Sequence, residues 1–391
     1  MGKAQDVQLH IDVQEVKGAN SLESTNITHQ STISQPKDSK SWLRVAVYTL
    51  FVLSGQSAAI LLGRLYYDEG GKSKWLATLV QLIGFPVLIP YYCISSSKKT
   101  AKNNVEKTRP SSLVLASIYV SFGLLLAADS VLYSTGLLYL PVSMFSLICV
   151  SQLAFNAFFS FILNSQKFTP YIINSLFLLT VSSSLLMFNT NSEIPSGISR
   201  DKYTVGLVCT IGSSAGYGLM LSLTQLSFHK VLKTETFRVV LEMIIYQSLA
   251  ASSATVLGLF ISGEWKGLKR EMEEFELGMS SYFVILGSTA MAWQIFTVGT
   301  IGLIFEVSSL FSNVISVLGL PFVTVLAVIF FHDAMDGLKA TAMLLALWGF
   351  ASYIYQHYLD DSEGKVQNNG NADNEHVKEI SLIPLLKEVS H

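Results

Sequence analysis

Two acidic side chains lie inside long apolar stretches of the sequence. Asp129 is the only carboxylate in residues 111–162, and Glu306 is the only one in residues 281–331. An ionisable group within a membrane-spanning segment is costly to bury, so each is a candidate for function. A lone carboxyl group in a low-dielectric medium can hold a proton, which coupling of solute movement to a proton gradient requires. The alternative for both is a helix end, where water solvates the carboxylate.

Glu242 is a weaker candidate, because Arg238 lies four residues earlier on the same helix face and can pair with it.

Polar uncharged residues recur at helical spacing in two of these stretches. An Asn or Gln side chain offers both donors and acceptors, as a heterocycle with ring nitrogens and an exocyclic amine requires. The alternative for the serines is that they permit close packing between helices. The residues follow steps of three or four, which place each group on one helix face: Gln152, Asn156 and Ser160 in one stretch, and Ser309, Ser312, Asn313 and Ser316 in the other.

Two aromatic residues could hold a flat ring beside these amides. Trp293 precedes Gln294 well inside an apolar stretch, a position that disfavours anchoring at the membrane interface. Tyr217 lies among Gly212, Gly216 and Gly218. Aromatic side chains stack on planar ligands. We therefore predict a substrate site formed by Trp293, Gln294, Asn156, Gln152, Asn313, Ser309, Ser312 and Tyr217, with Asp129 and Glu306 as proton-coupling candidates.

The sequence lacks the patterns expected of an enzyme or a metalloprotein. It contains no nucleophile paired with a base and no metal-ligand spacing, and the glycines at 212–218 lack the strand and lysine of a phosphate-binding loop. We expect no catalytic residues, no metal and no cofactor, with a proton gradient as the energy source. The net charge of −2 gives no indication of nucleic-acid binding.

Composition places these residues in a membrane protein. Half of the 391 residues are hydrophobic and 14% are charged, too few charges to cover a water-soluble globule of this size. The apolar runs are too long and continuous for barrel strands, so we predict an all-α integral membrane protein. A span requires about 20 apolar residues. That length predicts ten transmembrane helices, at residues 43–63, 75–94, 111–131, 139–162, 169–188, 203–225, 240–262, 281–302, 306–331 and 337–357.

An internal match indicates a repeat. Residues 136–146 align with residues 302–312 at an offset of 166, with five of eleven positions identical. This alignment lays the fourth predicted span over the ninth, as two halves of five helices would. Because five is odd, the halves would be inverted relative to each other, and inverted repeats place a substrate site at their interface. The alternative is chance similarity between apolar helices.

The predicted organisation follows from these spans. Lys and Arg are more numerous beside the spans on the side that holds both termini, which favours a cytosolic location for both tails. We predict a disordered tail at 1–41, a first five-helix repeat at 42–188, an extramembrane loop at 189–202, a second repeat at 203–358 and a disordered tail at 359–391.

Several separated motifs resemble the plant purine permease family of the drug/metabolite transporter superfamily. They extend in order from residue 42 to about 361: residues 61–75, Tyr139-Leu-Pro-Val-Ser143, residues 151–157 and 308–316, Phe331-His-Asp333, Trp348-Gly-Phe350 and residues 353–356. The resemblance implies a carrier with two inverted five-helix halves that moves purine nucleobases and cytokinins, usually by proton symport. Met144-Phe145 and Ala334 differ from the Thr-Tyr and Lys that family members often carry.

The combined expectation is a secondary transporter that imports purine nucleobases and purine-derived cytokinins with alternating access. Its partners would be a small heterocycle such as adenine or a cytokinin, protons and the lipid bilayer, and the resemblance implies the plasma membrane. An endomembrane, vacuolar or reticular, is the alternative location. Two functional alternatives are the same fold with another cargo, such as an alkaloid or a vitamin B6 form, and a membrane receptor or scaffold that binds without transport.

Overall fold

The residues that the structure describes form packed helices. The computed structural model describes residues 39–97, 111–165, 170–187, 199–232, 237–352 and 355. Nearly all of both predicted tails and most of the 189–202 loop lie outside these residues. The helices are α1 Ser39–Asp68, α2 Lys74–Leu82, α3 Ile89–Ser97, α4 Ser112–Tyr139, α5 Val142–Cys149, α6 Gln152–Asn164, α7 Pro170–Met187, α8 Arg200–Ser227, α9 Phe237–Ser262, α10 Leu268–Glu273, α11 Gly278–Glu306, α12 Ser309–Phe331 and α13 Gly337–Ser352.

The described residues form an all-helical, multi-pass membrane protein and include no strand. Eight helical segments are long and apolar enough to cross a bilayer: Trp42–Asp68, Lys74–Cys93, Ser112–Tyr139, Val142–Asn164, Arg200–Leu232, Phe237–Ser262, Gly278–Glu306 and Ser309–Phe331. Two shorter apolar helices, Ile173–Ser182 and Gly337–Ser352, coincide with the fifth and tenth predicted spans. The all-α membrane class is confirmed, and the count of ten remains a prediction.

Two predicted helix ends require correction. The third predicted span ends at residue 131 and the fourth begins at 139, but α4 continues to Tyr139 and α5 begins at Val142. Pro141 causes the break, because proline lacks an N–H and pushes Leu140 into an extended conformation. Likewise α11 continues past its predicted end at 302 to Glu306, and Ser308 caps α12 by accepting a bond from the Phe311 N–H at 3.1 Å.

Two membrane-spanning segments are interrupted near their middle. Between α2 and α3 the chain forms the 3-10 turn Phe85–Leu88, which contains Pro86. Between α5 and α6 it turns at Val150 and Ser151, so that Gln152 is the first residue of α6. Interrupted helices within membranes occur where the backbone is buried in protein or lines a cavity. In this bundle the second interruption brings Gln152 to the cavity described below.

Small residues allow the two longest contacting helices, α1 and α11, to approach closely. A Cβ at Gly55 would lie 2.7 Å from the Phe296 nitrogen, and one at Gly299 would lie 2.8 Å from the Tyr48 carbonyl oxygen. Helices in lipid associate largely through such close packing. At the other side of the core, α5 is buried along its whole length. These contacts hold α1 and α11 together, and α5 packs mainly against α12, α7 and α8.

Candidate functional site

A cavity lies in the middle of the bundle, between residues of α1, α2, α4, α5, α6, α8, α9 and α11. The space within it is about 960 Å³, a volume that includes the part open to solvent at its mouth. The wall is mainly apolar, with a distinct set of polar and aromatic side chains: Gln56, Gln81, Asp129, Ser130, Tyr133, Gln152, Ser213, Ser214, Tyr217, Thr224, Gln247, Ser248, Trp293, Gln294, Phe296, Thr297 and Thr300.

Polar atoms without partners lie in this wall. Asp129 is 7% exposed and Gln294 is 6% exposed. Within the described residues, neither Oδ1 of Asp129 nor Nε2 of Gln294 has a hydrogen-bond partner. Buried polar groups are nearly always satisfied, because an unpaired one loses its hydration without compensation. Oδ1 of Asp129 can therefore accept a hydrogen bond from a bound molecule, and Nε2 of Gln294 can donate one to it.

Aromatic rings form one side of the cavity. The Trp293 ring meets Tyr133 at a centroid distance of 5.2 Å and Phe296 at 5.5 Å, both edge to face. Tyr217 stacks on Phe296 at 6.3 Å with an interplanar angle of 25°. Edge-to-face pairs leave the faces of some rings open to a further ring. Trp293 is therefore positioned by its neighbours as one wall of a slot for a planar molecule.

The Asp129 carboxylate is held against α8. Ser213 lies within hydrogen-bonding reach of this carboxyl group. A Cβ at Gly216 would lie 2.6 Å from Oδ1 of Asp129, so only glycine leaves space for the carboxylate there. Asp129 lies in the middle of α4 and not at a helix end, where the solvent-satisfied alternative would place it.

The structure brings together five of the ten predicted site residues. Trp293, Gln294, Gln152, Tyr217 and Asp129 line the cavity.

The four other predicted substrate-binding residues lie in the helix interface beside it. Nδ2 of Asn156 donates to the Ser309 carbonyl at 3.1 Å, and Nδ2 of Asn313 donates to the Gln152 carbonyl at 3.1 Å. The Ser312 hydroxyl donates to the Thr300 carbonyl at 2.9 Å. These bonds cross between helices. In this conformation, Asn156, Asn313, Ser309 and Ser312 join α12 to α6, α8 and α11 and do not line the cavity.

Glu306, the second proton-coupling candidate, is the last residue of α11 and does not line this cavity. Its carboxylate pairs with the Arg44 guanidinium of α1, with Nε 2.9 Å from Oε1. The two residues line a separate, more open pocket together with aromatic residues of α1, α3 and α9. The predicted structural pair Arg238 and Glu242 is confirmed, with Nε 2.9 Å from Oε1.

Comparison with known proteins identifies the chain. A family described as purine nucleobase transmembrane transport matches residues 43–363. The chain belongs to the purine permease family. Probable purine permease 10 of Arabidopsis thaliana is 56% identical over 354 residues, 90% of this chain and 89% of that protein. Purine permease 21 of the same plant is 57% identical over 339 residues, 87% of each chain.

Membership of the purine permease family confirms the resemblance and assigns the chain to transporters and not to enzymes. Probable purine permease 8 of Arabidopsis thaliana covers 92% of this chain and is itself covered to 92%, at 51% identity. The relatives therefore match nearly the full length of this permease. The family match at residues 43–363 includes the residues that line the central cavity.

Sequence analysis missed three glutamines that line the cavity of this permease. Gln56 of α1, Gln81 of α2 and Gln247 of α9 are amides within apolar segments, the same signal that identified Gln152 and Gln294. A search of every predicted span for Asn and Gln side chains would have found these three glutamines. Tyr133 and Phe296 carried no comparable signal, because aromatic residues are common in membrane helices that only pack together.

Proposed function

We propose that this purine permease is a secondary transporter that imports purine nucleobases and purine-derived cytokinins by proton symport with alternating access. The single observation that carries the proposal is the central cavity, in which unpartnered polar atoms of Asp129 and Gln294 lie beside the ring of Trp293. The family match supports the substrate class. The names of the relatives support transport and not catalysis.

The cavity suits a flat, polar heterocycle. Trp293 and Tyr133 supply aromatic rings, and amide side chains supply donors and acceptors. A nucleobase edge combines ring nitrogens that accept with exocyclic amines that donate, so it can pair with both kinds of group. A phosphorylated cargo would require a buried cation, and no Lys or Arg lines this cavity among the described residues. The proposed substrate is therefore a free base or its N-substituted derivative.

Asp129 is the proposed proton carrier. Its carboxyl group lies among apolar and uncharged groups in the cavity wall, and no Lys or Arg among the described residues lines that wall. Proton binding from one side of the membrane would neutralise it, and proton release on the other side would restore the charge. A proton that crosses the membrane contributes roughly 2.3 kcal/mol per 100 mV of potential, enough to bias a carrier. Glu306 is the weaker candidate because Arg44 already compensates its charge.

A clamp at one end of the bundle supports alternating access. The Glu271 carboxylate, 6% exposed, accepts bonds from the Tyr66 hydroxyl, the Tyr282 hydroxyl at 3.2 Å and the Lys72 and Ser73 N–H groups, both at 3.0 Å. These bonds tie the segment between α9 and α11 to the loop between α1 and α2. The cavity extends away from this clamp, toward Thr224 and Ile304 near the other ends of α8 and α11. We infer that the clamp closes the extracellular entrance in this conformation.

The proposal includes ten membrane helices in two inverted halves, with both tails cytosolic and the plasma membrane as the location. The two repeated segments support the inversion, because each joins the end of one helix to the start of the next across a short turn: α4 to α5 and α11 to α12. The two shorter apolar helices, Ile173–Ser182 and Gly337–Ser352, would complete the ten spans. In each half, an odd number of crossings then reverses the direction of the chain.

Uptake into proteoliposomes tests the proposal. We expect the purified protein to accumulate labelled adenine and trans-zeatin when the outside is more acidic, and less when the gradient is collapsed with a protonophore. Uptake that does not change with the pH gradient would refute proton symport but not transport. Saturable binding without any flux would refute transport and favour a receptor.

A further inference from the structure

A single buried hydroxyl connects two glutamines of the cavity wall. Nε2 of Gln152 donates to Oγ of Ser316 at 3.2 Å, and Oγ of Ser316 donates to Oε1 of Gln56 at 3.1 Å. The three residues come from α6, α12 and α1. Ser316 is fully buried, and the two glutamines are 5% and 6% exposed. Both glutamines line the cavity, whereas Ser316 lies behind them.

The hydroxyl determines which end of each amide remains for a ligand. A serine hydroxyl carries one proton, so donating it to Gln56 leaves the oxygen as an acceptor for Gln152. The carbonyl of Gln56 is then occupied, and its NH₂ group remains. The NH₂ group of Gln152 is occupied, and its carbonyl oxygen remains. Through this relay the wall presents a donor from α1 beside an acceptor from α6.

A similar arrangement orients Gln81 of α2. Nε2 of Gln81 donates to Oγ of Ser134 at 2.7 Å, and this oxygen lies 2.9 Å from Oγ1 of Thr78. The carbonyl of Gln81 therefore remains for the cavity as an acceptor. Hydroxyls thus orient three amides of the wall, and among the described residues Ser316 alone bonds two of them at once.

We propose that Ser316 is a positioning residue that sets the substrate preference of this permease by orienting Gln56 and Gln152. The proposal rests on the proposed function. A neighbouring donor and acceptor match a 6-aminopurine, whose exocyclic amine donates to the Gln152 carbonyl while an adjacent ring nitrogen accepts from the Gln56 NH₂ group. A 6-oxopurine has a carbonyl oxygen in place of the amine. Two hydrogen-bond acceptors, this oxygen and the Gln152 carbonyl oxygen, would then face each other. The oriented pair therefore favours 6-aminopurines over 6-oxopurines.

Without the Ser316 hydroxyl, both amides can rotate about their last side-chain bond. Gln152 can then present its NH₂ group to the 6-oxo oxygen, and Gln56 can present its carbonyl. The preference for 6-aminopurines over 6-oxopurines therefore falls, because the two amides can rotate to pair with either kind of base. The turnover of bound substrate need not change, because Ser316 itself does not line the cavity.

The experiment compares kcat/KM for uptake of labelled adenine and hypoxanthine into proteoliposomes. For the wild type we expect a clear preference for adenine. For Ser316→Ala we expect the adenine-to-hypoxanthine ratio to fall by about tenfold, the scale of one amide-to-base pairing, through a higher KM for adenine. Ser316→Thr, which keeps the hydroxyl, should retain most of the preference.

The matched control is Ser312→Ala. Ser312 lies one turn earlier on the same helix and is equally buried, but its hydroxyl bonds the Thr300 carbonyl and neither glutamine. Its ratio should remain at the wild-type value. Should Ser316→Ala fold poorly, Gln56→Leu removes the NH₂ donor of Gln56, one of the two groups that Ser316 orients, and should also lower the ratio.

Two outcomes would overturn the relay: a wild type without preference for adenine, or a Ser316→Ala ratio equal to that of Ser312→Ala. A wild type that takes up neither base would overturn the proposed function, and the relay with it. Wild-type uptake of adenine with an unchanged ratio in the variants would overturn the relay alone.

Discussion

The Arg44 guanidinium pairs with the Glu306 carboxylate through two contacts, with Nε 2.9 Å from Oε1 and Nη2 3.2 Å from Oε2. Arg44 lies near the start of α1 and Glu306 is the last residue of α11, so the pair joins the helices that pack most extensively in the bundle. Paired arginine and carboxylate groups of this geometry are strong and directional. The two acidic residues that sequence alone treats as equivalent thus have different environments: Glu306 pairs with a cation, whereas no Lys or Arg among the described residues lines the cavity that holds Asp129.

Substitution of the two acids should separate their roles. Asp129→Asn keeps the size of the side chain but cannot bind and release a proton, so we expect residual adenine uptake that no longer responds to a pH gradient. Glu306→Gln should keep the response, because Glu306 already pairs with Arg44 and does not line the cavity. Uptake into proteoliposomes at imposed gradients measures both. If Glu306→Gln lost the response to the pH gradient and Asp129→Asn kept it, Glu306 and not Asp129 would be the proton carrier.

Removal of the Trp293 ring should weaken substrate binding. Aromatic pairing contributes about 0.5–1.5 kcal/mol beyond burial, so Trp293→Ala should raise the KM for adenine by about 2- to 12-fold or more, and Trp293→Phe by less. The control is Trp348→Ala, because Trp348 is 68% exposed on the outside of the bundle. Equal KM values for Trp293→Ala and Trp348→Ala would contradict a stacking role.

A single methyl group at Gly216 should impair transport. The Cβ of Gly216→Ala would lie 2.6 Å from Oδ1 of Asp129 and would displace the carboxylate. We expect at least a tenfold loss of adenine uptake at normal expression. Gly212→Ala is the matched control on the same helix, because its Cβ would meet only the flexible Leu132 side chain, at 3.3 Å. Similar uptake in the two variants would mean that the position of Asp129 matters little.

Asn156 should stabilise the fold and leave affinity unchanged. Its amide bonds the Ser309 carbonyl, and its Oδ1 accepts from the Ser222 hydroxyl at 2.8 Å. Asn156→Ala leaves buried partners unsatisfied at a cost of about 1–3 kcal/mol. A thermal shift in detergent should therefore show a lower melting temperature than for the exposed control Asn174→Ala. A large rise in the KM for adenine with unchanged stability would instead support its predicted role in substrate binding.

Loss of the Glu271 clamp should open one entrance of the cavity. Cys149 lines the cavity, so its labelling reports access once Cys93 and Cys209 are replaced by serine. In that background, Glu271→Ala should speed labelling of Cys149 by an impermeant thiol reagent added from the extracellular side. Glu276→Ala, an exposed acid on the same connection, is the control. Faster labelling in Glu276→Ala than in Glu271→Ala would exclude Glu271 as a gate.

Sequence reasoning located the cavity in part. Intramembrane position identified Asp129, Gln152, Gln294 and Trp293, because polar groups are scarce in apolar segments and stand out there. The same rule also selected Asn156 and Asn313, which bond backbone carbonyls of neighbouring helices. Helical periodicity places a residue on a face, but it does not say which helix that face meets. A polar face can therefore bind a ligand or another helix with the same sequence signature.

The sequence by itself determined the class of the protein and the family. Long apolar runs permit only helices in lipid, since no water is present to satisfy an open backbone. Tertiary structure decided the rest: that Glu306 meets Arg44, that Asp129 faces glycine and the cavity, and that one hydroxyl of α12 orients amides of α1 and α6. Each of these depends on contacts between helices far apart in the chain. Such contacts arise from the packing of whole helices, which local residue patterns do not encode.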